Sequence, residues 1–170
     1  AYSPHIVGFR ILGGYVSYGG GIATRSNATP TIKQCIITEC GSGISAIDGA
    51  APSIDNCHIL NNGSGNAGDG IYCRNDAEPI VTNTLIAGNH GSGLYCRNNS
   101  NATLENCVIE RNRAQGVHLI NSSPTLLNCL ILENSDDIVG GVYLRSGSDA
   151  ELINCTISGN IGDAFGGIVC

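Results

Sequence analysis

The sequence predicts an all-β solenoid of about seven stacked coils, and three observations support this fold class. A residue pattern recurs every 22 to 27 residues along the chain. Glycine accounts for 24 of the 170 residues, whereas Trp and Met are absent and only 13% of the residues are charged. Asn, Gly and β-branched residues occupy every segment that would otherwise suit a helix, which favours short strands joined by tight turns.

The repeat is anchored on a position that is usually Cys. A Pro or Ala opens each coil, an aliphatic residue follows two positions later, and another lies two positions past the anchor. Because side chains alternate along a strand, Ile71 and Cys73 are predicted to point inward, and Tyr72 and Arg74 outward. Like residues of successive coils would then stack about 4.8 Å apart into one core. The anchors are Phe9, Cys35, Cys57, Thr84, Cys107, Cys129 and Cys155, with spacings of 26, 22, 27, 23, 22 and 26.

Asparagine recurs at two positions of the repeat. One precedes the anchor, as in Asn56 and Asn106, and the other follows it, as in Asn89 and Asn112. An Asn at a sharp bend tolerates left-handed backbone geometry, and stacked amides can also hydrogen-bond along the axis. Both roles are structural, and we expect them rather than ligand binding. The recurring Cys residues are interpreted in the same way, as mostly reduced thiols that pack in the core.

Parallel crossover connections are right-handed by default, so the prediction is a right-handed, single-stranded parallel β-helix. It would form one domain over residues 1–170 without recognisable caps. The pattern Pro-x-Ile-x-Asn-Cys-x-Ile-x-x-Asn, followed by Gly-Gly-Ile-Tyr, resembles the parallel β-helix repeat proteins of bacterial surfaces, which are pectate-lyase-like or similar to polymorphic outer-membrane proteins. The resemblance covers residues 4–170. It implies the fold, but one such scaffold carries lyases, epimerases, hydrolases, adhesins and inert spacers.

Acidic residues in two loops of adjacent coils form a candidate metal or catalytic site. Asp136, Asp137 and Asp163 are predicted to converge, either as calcium ligands or as acid/base groups. The alternative is that they are solvated turn residues, since Asp is common in turns. The family's lyases pair such acids with a basic residue, whereas the only Lys, Lys33, lies far along the axis. We therefore expect no enzyme activity, and no cofactor other than calcium.

Two outward stripes form a candidate ligand-binding face. Aromatic and Arg ladders can stack on sugar rings or make a lateral protein contact. The alternative is a solvent-facing strand whose Tyr and Arg side chains pack on each other. The candidate ligand residues are Tyr72, Tyr95, Tyr143, Arg74, Arg97 and Arg145, with His118 in the aromatic stripe.

The repeat phase suggests that copies of the chain stack head to tail. Ile168 would precede Pro4 of a second copy by six residues, and seven or eight separate the equivalent positions within the chain. Such a contact does not close and produces a filament. The alternative is that the sequence is a piece of a longer β-helix.

The net charge of −6 argues against nucleic-acid binding, and no apolar run is long enough for membrane insertion.

The expected function is therefore that of an extracellular or cell-surface structural solenoid, either a filament subunit with itself as partner or a surface stalk. The alternative is a carbohydrate-active domain, which would be a polysaccharide lyase, an epimerase or a sugar-binding module.

Overall fold

The computed structural model describes residues 3–15, 20–63 and 68–170. Residues 1, 2, 16–19 and 64–67 of the predicted domain lie outside this range. The described residues form 23 short strands and no helix. Three strands make up one coil, and successive coils place their equivalent strands side by side in three parallel sheets of seven strands each. The predicted solenoid of about seven coils is confirmed.

The first sheet contains β1 (His5–Val7), β4 (Thr31–Lys33), β7 (Ser53–Asp55), β10 (Ile80–Thr82), β13 (Thr103–Glu105), β16 (Thr125–Leu127) and β20 (Glu151–Ile153). The second contains β2 (Arg10–Leu12), β5 (Ile36–Thr38), β8 (His58–Leu60), β11 (Leu85–Ala87), β14 (Val108–Glu110), β17 (Leu130–Leu132) and β21 (Thr156–Ser158). The third contains β3 (Ile22–Arg25), β6 (Ile44–Ile47), β9 (Ile71–Arg74), β12 (Leu94–Arg97), β15 (Val117–Ile120), β19 (Val142–Arg145) and β23 (Ile168–Val169). A two-stranded sheet pairs β18 (Ser135–Asp136) with β22 (Ile161–Gly162).

The strands are in register from coil to coil, as the repeat predicts. Ile71 pairs with Leu94, so these two residues are axial neighbours. The inward aliphatic residues of each sheet form continuous buried columns, for example Ile54, Val81 and Leu104 in the first sheet. Each such side chain contributes about 1.5–3 kcal/mol by leaving water. No coil buries its apolar face alone, so this stabilisation comes from stacking.

The recurring Cys residues pack in this core. Seven of the nine are buried free thiols, Cys155 is half-buried and Cys170 is exposed. The Cys57 thiol donates to the carbonyl of Asp55 at 3.4 Å and contacts that of Ile32, one coil earlier, at 3.6 Å. The anchor thiols therefore act as small core residues that also help to satisfy the backbone, in agreement with the packing interpretation.

The two asparagine series have different structural roles. The series before the anchor adopts left-handed backbone geometry, with φ between 50° and 53° at Asn56, Asn83, Asn106, Asn128 and Asn154. The series after the anchor is absent from the left-handed positions. Its members form what we call the amide ladder: Asn62, Asn89, Asn112, Asn134 and Asn160. The sequence predicted both roles, and the structure assigns one to each series.

Among the described residues, no helix has the length and apolar character that crossing a membrane requires.

Candidate functional site

The acidic loops of the last two coils lie side by side. The parallel pairing of β18 with β22 places Asp136 beside Gly162, and Asp137 and Asp163 are the next residues in the two loops. The loops border an open cleft of about 380 Å³. Its lining comprises Arg111, Asn112, Arg113, Glu133, Ser135, Asp136, Asp137, Ile161 and Asp163. The three acids of the predicted site thus share one cleft.

The cleft is not built around its carboxylates alone. Asp136 accepts backbone N–H bonds from Ile138 at 2.9 Å and Val139 at 3.1 Å, which is the behaviour of a turn residue. Arg111, which also lines the cleft, donates to Glu133 at 2.8 Å. In the part of the chain that the structure describes, no three His, Cys, Asp or Glu side chains are arranged to hold a metal ion. Calcium binding by these acids stays a prediction.

The aromatic stripe on the third sheet is a column of mutually stacked rings. Tyr95 and His118 are parallel within 8° with centroids 4.7 Å apart, and His118 and Tyr143 are parallel within 12° at 5.4 Å. Tyr72 meets Tyr95 edge-on at 5.6 Å. The rings cover each other's faces along the axis, and a sugar ring stacks on such faces. This geometry favours the interpretation in which the stripe packs on itself.

The expectation that Tyr72 faces solvent is wrong. Its side chain is 1% exposed, and on the same outer face one coil earlier Ser45 and Ile47 are also buried. Strand alternation predicts which side of a sheet a residue occupies, but it does not predict whether other parts of the chain cover that side. The accessible rings of the aromatic stripe are therefore those of Tyr95, His118 and Tyr143, which are half-buried.

His118 is held in its neutral form. Burial, reinforced by the positive charge of Arg145, lowers the pKa of His118 to about 4, and Asp136 opposes the shift. The imidazole Nε2 is buried, and no described residue forms a hydrogen bond with it. At neutral pH this residue therefore continues the aromatic column rather than adding a positive charge to the face.

The arginine stripe is interrupted. Arg74 and Arg97 pair in register, and we call these two residues the arginine pair. Ile47 precedes them in the column and Ile120 follows, so Arg145 is separated from the pair. The Arg145 guanidinium instead lies 5.5 Å from the centre of the Tyr143 ring. The six predicted ligand residues thus do not form one site.

Sequence reasoning missed several residues that shape these features. Arg111 and Arg113, which follow β14 in the preceding coil, also line the cleft and make it mixed in charge. Ile47 and Ile120 divide the arginine column. This division could have been predicted from the repeat, because Ile47 and Ile120 occupy the same repeat position as Arg74 and Arg97. The cleft depends on how loops of unequal length lie against each other, which the repeat does not specify.

Comparison with known proteins supports the fold. The family model described as the right-handed beta helix region matches residues 5–157, which is most of the chain. No curated protein matches the sequence.

Proposed function

Because the chain belongs to the family of right-handed β-helix regions, we propose that it is a structural solenoid whose copies associate head to tail. One observation carries this proposal: within the described ranges, the outermost strands of all three sheets pair on one side only. At one end these are β1, β2 and β3, and at the other β20, β21 and β23. Unpaired edges in otherwise continuous parallel sheets are templates for a further strand.

The side chains at both ends are suited to such a contact. In the first coil Phe9 is exposed, and the inward Ile6 and Ile11 are only half-buried, although they are large and apolar. The last coils expose Ile161, Phe165 and Ile168 in the same way. The two apolar ends differ from each other, so association would be heterologous, and repeating it would give an open filament. Seven coils predict a rise of roughly 34 Å per subunit.

A column of glycines shows how closely each coil approaches the next. At Gly93 an added Cβ would collide with Ile109 of the following coil and lie 2.9 Å from the Asn112 amide nitrogen. The equivalent Gly141 would collide with Gly167. At Gly167, in the last coil, the same Cβ would meet no atom within 4 Å. A coil that stacks on Gly167 would approach it as closely as the last coil approaches Gly141.

Gly167→Ala tests the proposal. We expect the wild-type protein to form filaments in negative-stain images and to elute as concentration-dependent oligomers, with mass measured by light scattering. Gly167→Ala should fold with an unchanged melting temperature but assemble poorly, since its methyl group would collide with the incoming coil. Ile80→Ala, which trims an exposed side chain on the lateral face of a middle coil, is the control and should assemble normally.

Two outcomes would contradict the proposal. One is a wild-type protein that remains a single-chain particle at every concentration, in which case the end faces would accept a further coil of a longer chain. The other is equal assembly by wild type and Gly167→Ala.

A cell-surface location belongs to the same proposal and rests on the resemblance to surface β-helix proteins. Antibody staining of intact and permeabilised source cells tests it.

A carbohydrate-active role is the second candidate, and the cleft between the last loops favours it. Its volume of about 380 Å³ and its mixture of carboxylates and guanidinium groups suit a hydroxyl-rich ligand. A polyuronide screen with and without calcium tests this role. Turnover or binding that Asp137→Ala or Asp163→Ala abolishes would support it over the purely structural role.

A further inference from the structure

We infer that the arginine pair, Arg74 and Arg97, is a binding site for an oxyanion group (a carboxylate, sulfate or phosphate) on the lateral face of the solenoid. This inference is independent of head-to-tail assembly, because the pair lies on the outer side of two middle coils. It also differs from the predicted six-residue face, since the proposed ligand is recognised by charge rather than by ring stacking.

The register brings two positive charges together. Arg74 in β9 and Arg97 in β12 are direct partners in a parallel sheet, and adjacent strands are about 4.8 Å apart. Both side chains are half-buried, which reduces the screening of their repulsion by water. The chain is acidic overall, with a net charge of −6. A local concentration of positive charge on such a protein needs a negative partner.

The described part of the chain does not supply that partner. Its three ion pairs join Lys33 to Asp55 and Arg111 to both Glu110 and Glu133. Asp76, two residues after Arg74, and Asp48, whose backbone N–H donates to the Arg74 carbonyl, are engaged elsewhere. Asp48 accepts a hydrogen bond from the Asn75 amide at 2.9 Å, and Asp76 accepts one from Asn99 at 2.8 Å. These carboxylates belong to ladders in the adjoining turn.

Both guanidinium groups carry an unsatisfied donor. The Nε atoms of Arg74 and Arg97 are buried and have no hydrogen-bond partner among the residues that the structure describes. Buried donors are normally satisfied, and an exception points to a missing water or ion. A guanidinium presents its N–H groups as a planar fork that matches two oxygens of an oxyanion. One oxyanion between two stacked forks would neutralise the repulsion and, with a small rotation of each side chain, engage the Nε donors.

The surroundings limit the site to the pair. Ile47 and Ile120 occupy the column positions on either side, so the charged stretch is two coils long. Tyr72 and Tyr95 border it on the same face, two residues earlier in their strands. Arg145 lies outside, against Tyr143. The site therefore fits a single charged group rather than a row of charges along the axis.

Inorganic sulfate is the first probe, titrated at constant ionic strength against chloride. The Nε–H resonances of the arginines are followed by ¹⁵N NMR, and the affinity is measured by calorimetry. We expect saturable shifts of the Arg74 and Arg97 signals. Arg74→Gln and Arg97→Gln should each weaken binding by about tenfold or more, because each removes charge-assisted hydrogen bonds. Arg145→Gln is the matched control on the same sheet and should bind as wild type does.

Further arms with inorganic phosphate, a sulfated oligosaccharide and an oligogalacturonate identify the source of the group. Tighter binding of one saccharide would assign a sugar-borne group, and equal affinity for free sulfate or phosphate would assign a free anion; both support the site. Absence of saturable shifts with all four probes would overturn it, as would equal weakening in all three Arg variants. Assembly of Arg97→Gln, measured separately, reports only on the head-to-tail proposal.

Discussion

The amide ladder and the arginine pair are both columns in which one kind of polar side chain stacks from coil to coil. The amides of the ladder are hydrogen-bonded to each other, whereas the guanidinium groups of the pair are not. Inside the solenoid, the Asn112 carboxamide oxygen accepts the amide of Asn89 at 2.9 Å, and its own nitrogen donates to Asn134 at 2.9 Å. It also donates to the Ile86 carbonyl at 3.2 Å. On the outer face, Arg74 and Arg97 have the same in-register arrangement but leave their Nε donors unpaired.

The difference follows from the chemistry of the two side chains. A carboxamide has both a donor and an acceptor, so a column of Asn residues at strand spacing satisfies itself. A guanidinium has five N–H donors and no acceptor, and it is always charged, so a column of Arg residues is repulsive and unsatisfied. In a parallel solenoid, any residue type that recurs at one position of the repeat is stacked into a column. Only residues that complement themselves can form a column without a further partner.

Breaking the amide ladder should have the largest effect. Asn112→Ala removes the acceptor of both the backbone N–H and the side-chain amide of Asn89, which are 3.0 and 2.9 Å from its oxygen. Two buried donors without partners should lower the free energy of unfolding by about 3–5 kcal/mol. Urea denaturation followed by circular dichroism measures this loss.

The other asparagine series provides the control. Asn128 is exposed and left-handed, with φ of 53°. Asn128→Gly should change the free energy of unfolding by less than about 0.5 kcal/mol, because Gly adopts this conformation without strain. Similar losses in Asn112→Ala and Asn128→Gly would show that the ladder does not contribute as its geometry indicates.

The aromatic stripe resembles the amide ladder in that its side chains pack on each other, but it contains a titratable residue, His118, which makes its stability sensitive to pH. Its rings satisfy each other by stacking, but burial lowers the pKa of His118 from its ordinary value of 6.5 to about 4. Between these values the unfolded chain takes up a proton that the folded chain does not, so stability falls as the pH is lowered from about 6.5 to 4. We expect His118 to account for about 1–2 kcal/mol of this fall, less than the full shift implies because the ring is partly exposed.

His118→Tyr isolates this contribution, because Tyr occupies the same column position in the coils on either side and does not titrate in this range. Urea denaturation at pH 7 and pH 4.5 should show a smaller loss of stability for the variant than for wild type. Equal losses would mean that His118 is not the titrating group. The buried Asp69, whose pKa burial raises to about 7, acts in the opposite direction, and the comparison of the two proteins cancels its effect.

The fold could be predicted because each coil repeats the same physical requirement. Pairs such as Ile71 and Leu94 must coincide for either to be buried, and a shift of one residue would expose the whole column. The spacing of the anchors therefore predicted the register of the first two sheets, and recurring pairs such as Gly70-Ile71 and Gly93-Leu94 predicted that of the third. The amide ladder was predictable for the same reason, since Asn recurs two residues after the strands of the second sheet.

The candidate sites were less predictable because they depend on departures from the repeat. Tyr72 occupies the outward position that alternation assigns, but neighbouring parts of the chain cover it. Asp136, Asp137 and Asp163 line one cleft, but Arg111 lines the same cleft from another coil. Such contacts involve loops of unequal length, and periodicity carries no information about how those loops lie.

Relieving the arginine pair should have the smallest effect, and it should have the opposite sign to breaking the amide ladder. Arg97→Gln removes the repulsion with Arg74, so in chloride at low ionic strength it should raise the free energy of unfolding by about 0.5 kcal/mol. The gain should shrink as salt screens the charges that remain in the wild type. Arg145→Gln, by contrast, loses a contact with the Tyr143 ring and should lower stability by about 0.5 kcal/mol. Thermal denaturation across a salt series compares the two variants. Destabilisation of similar size in both would mean that Arg97 already has a partner within the chain, and the contrast between a self-complementary column and a repulsive one would not hold.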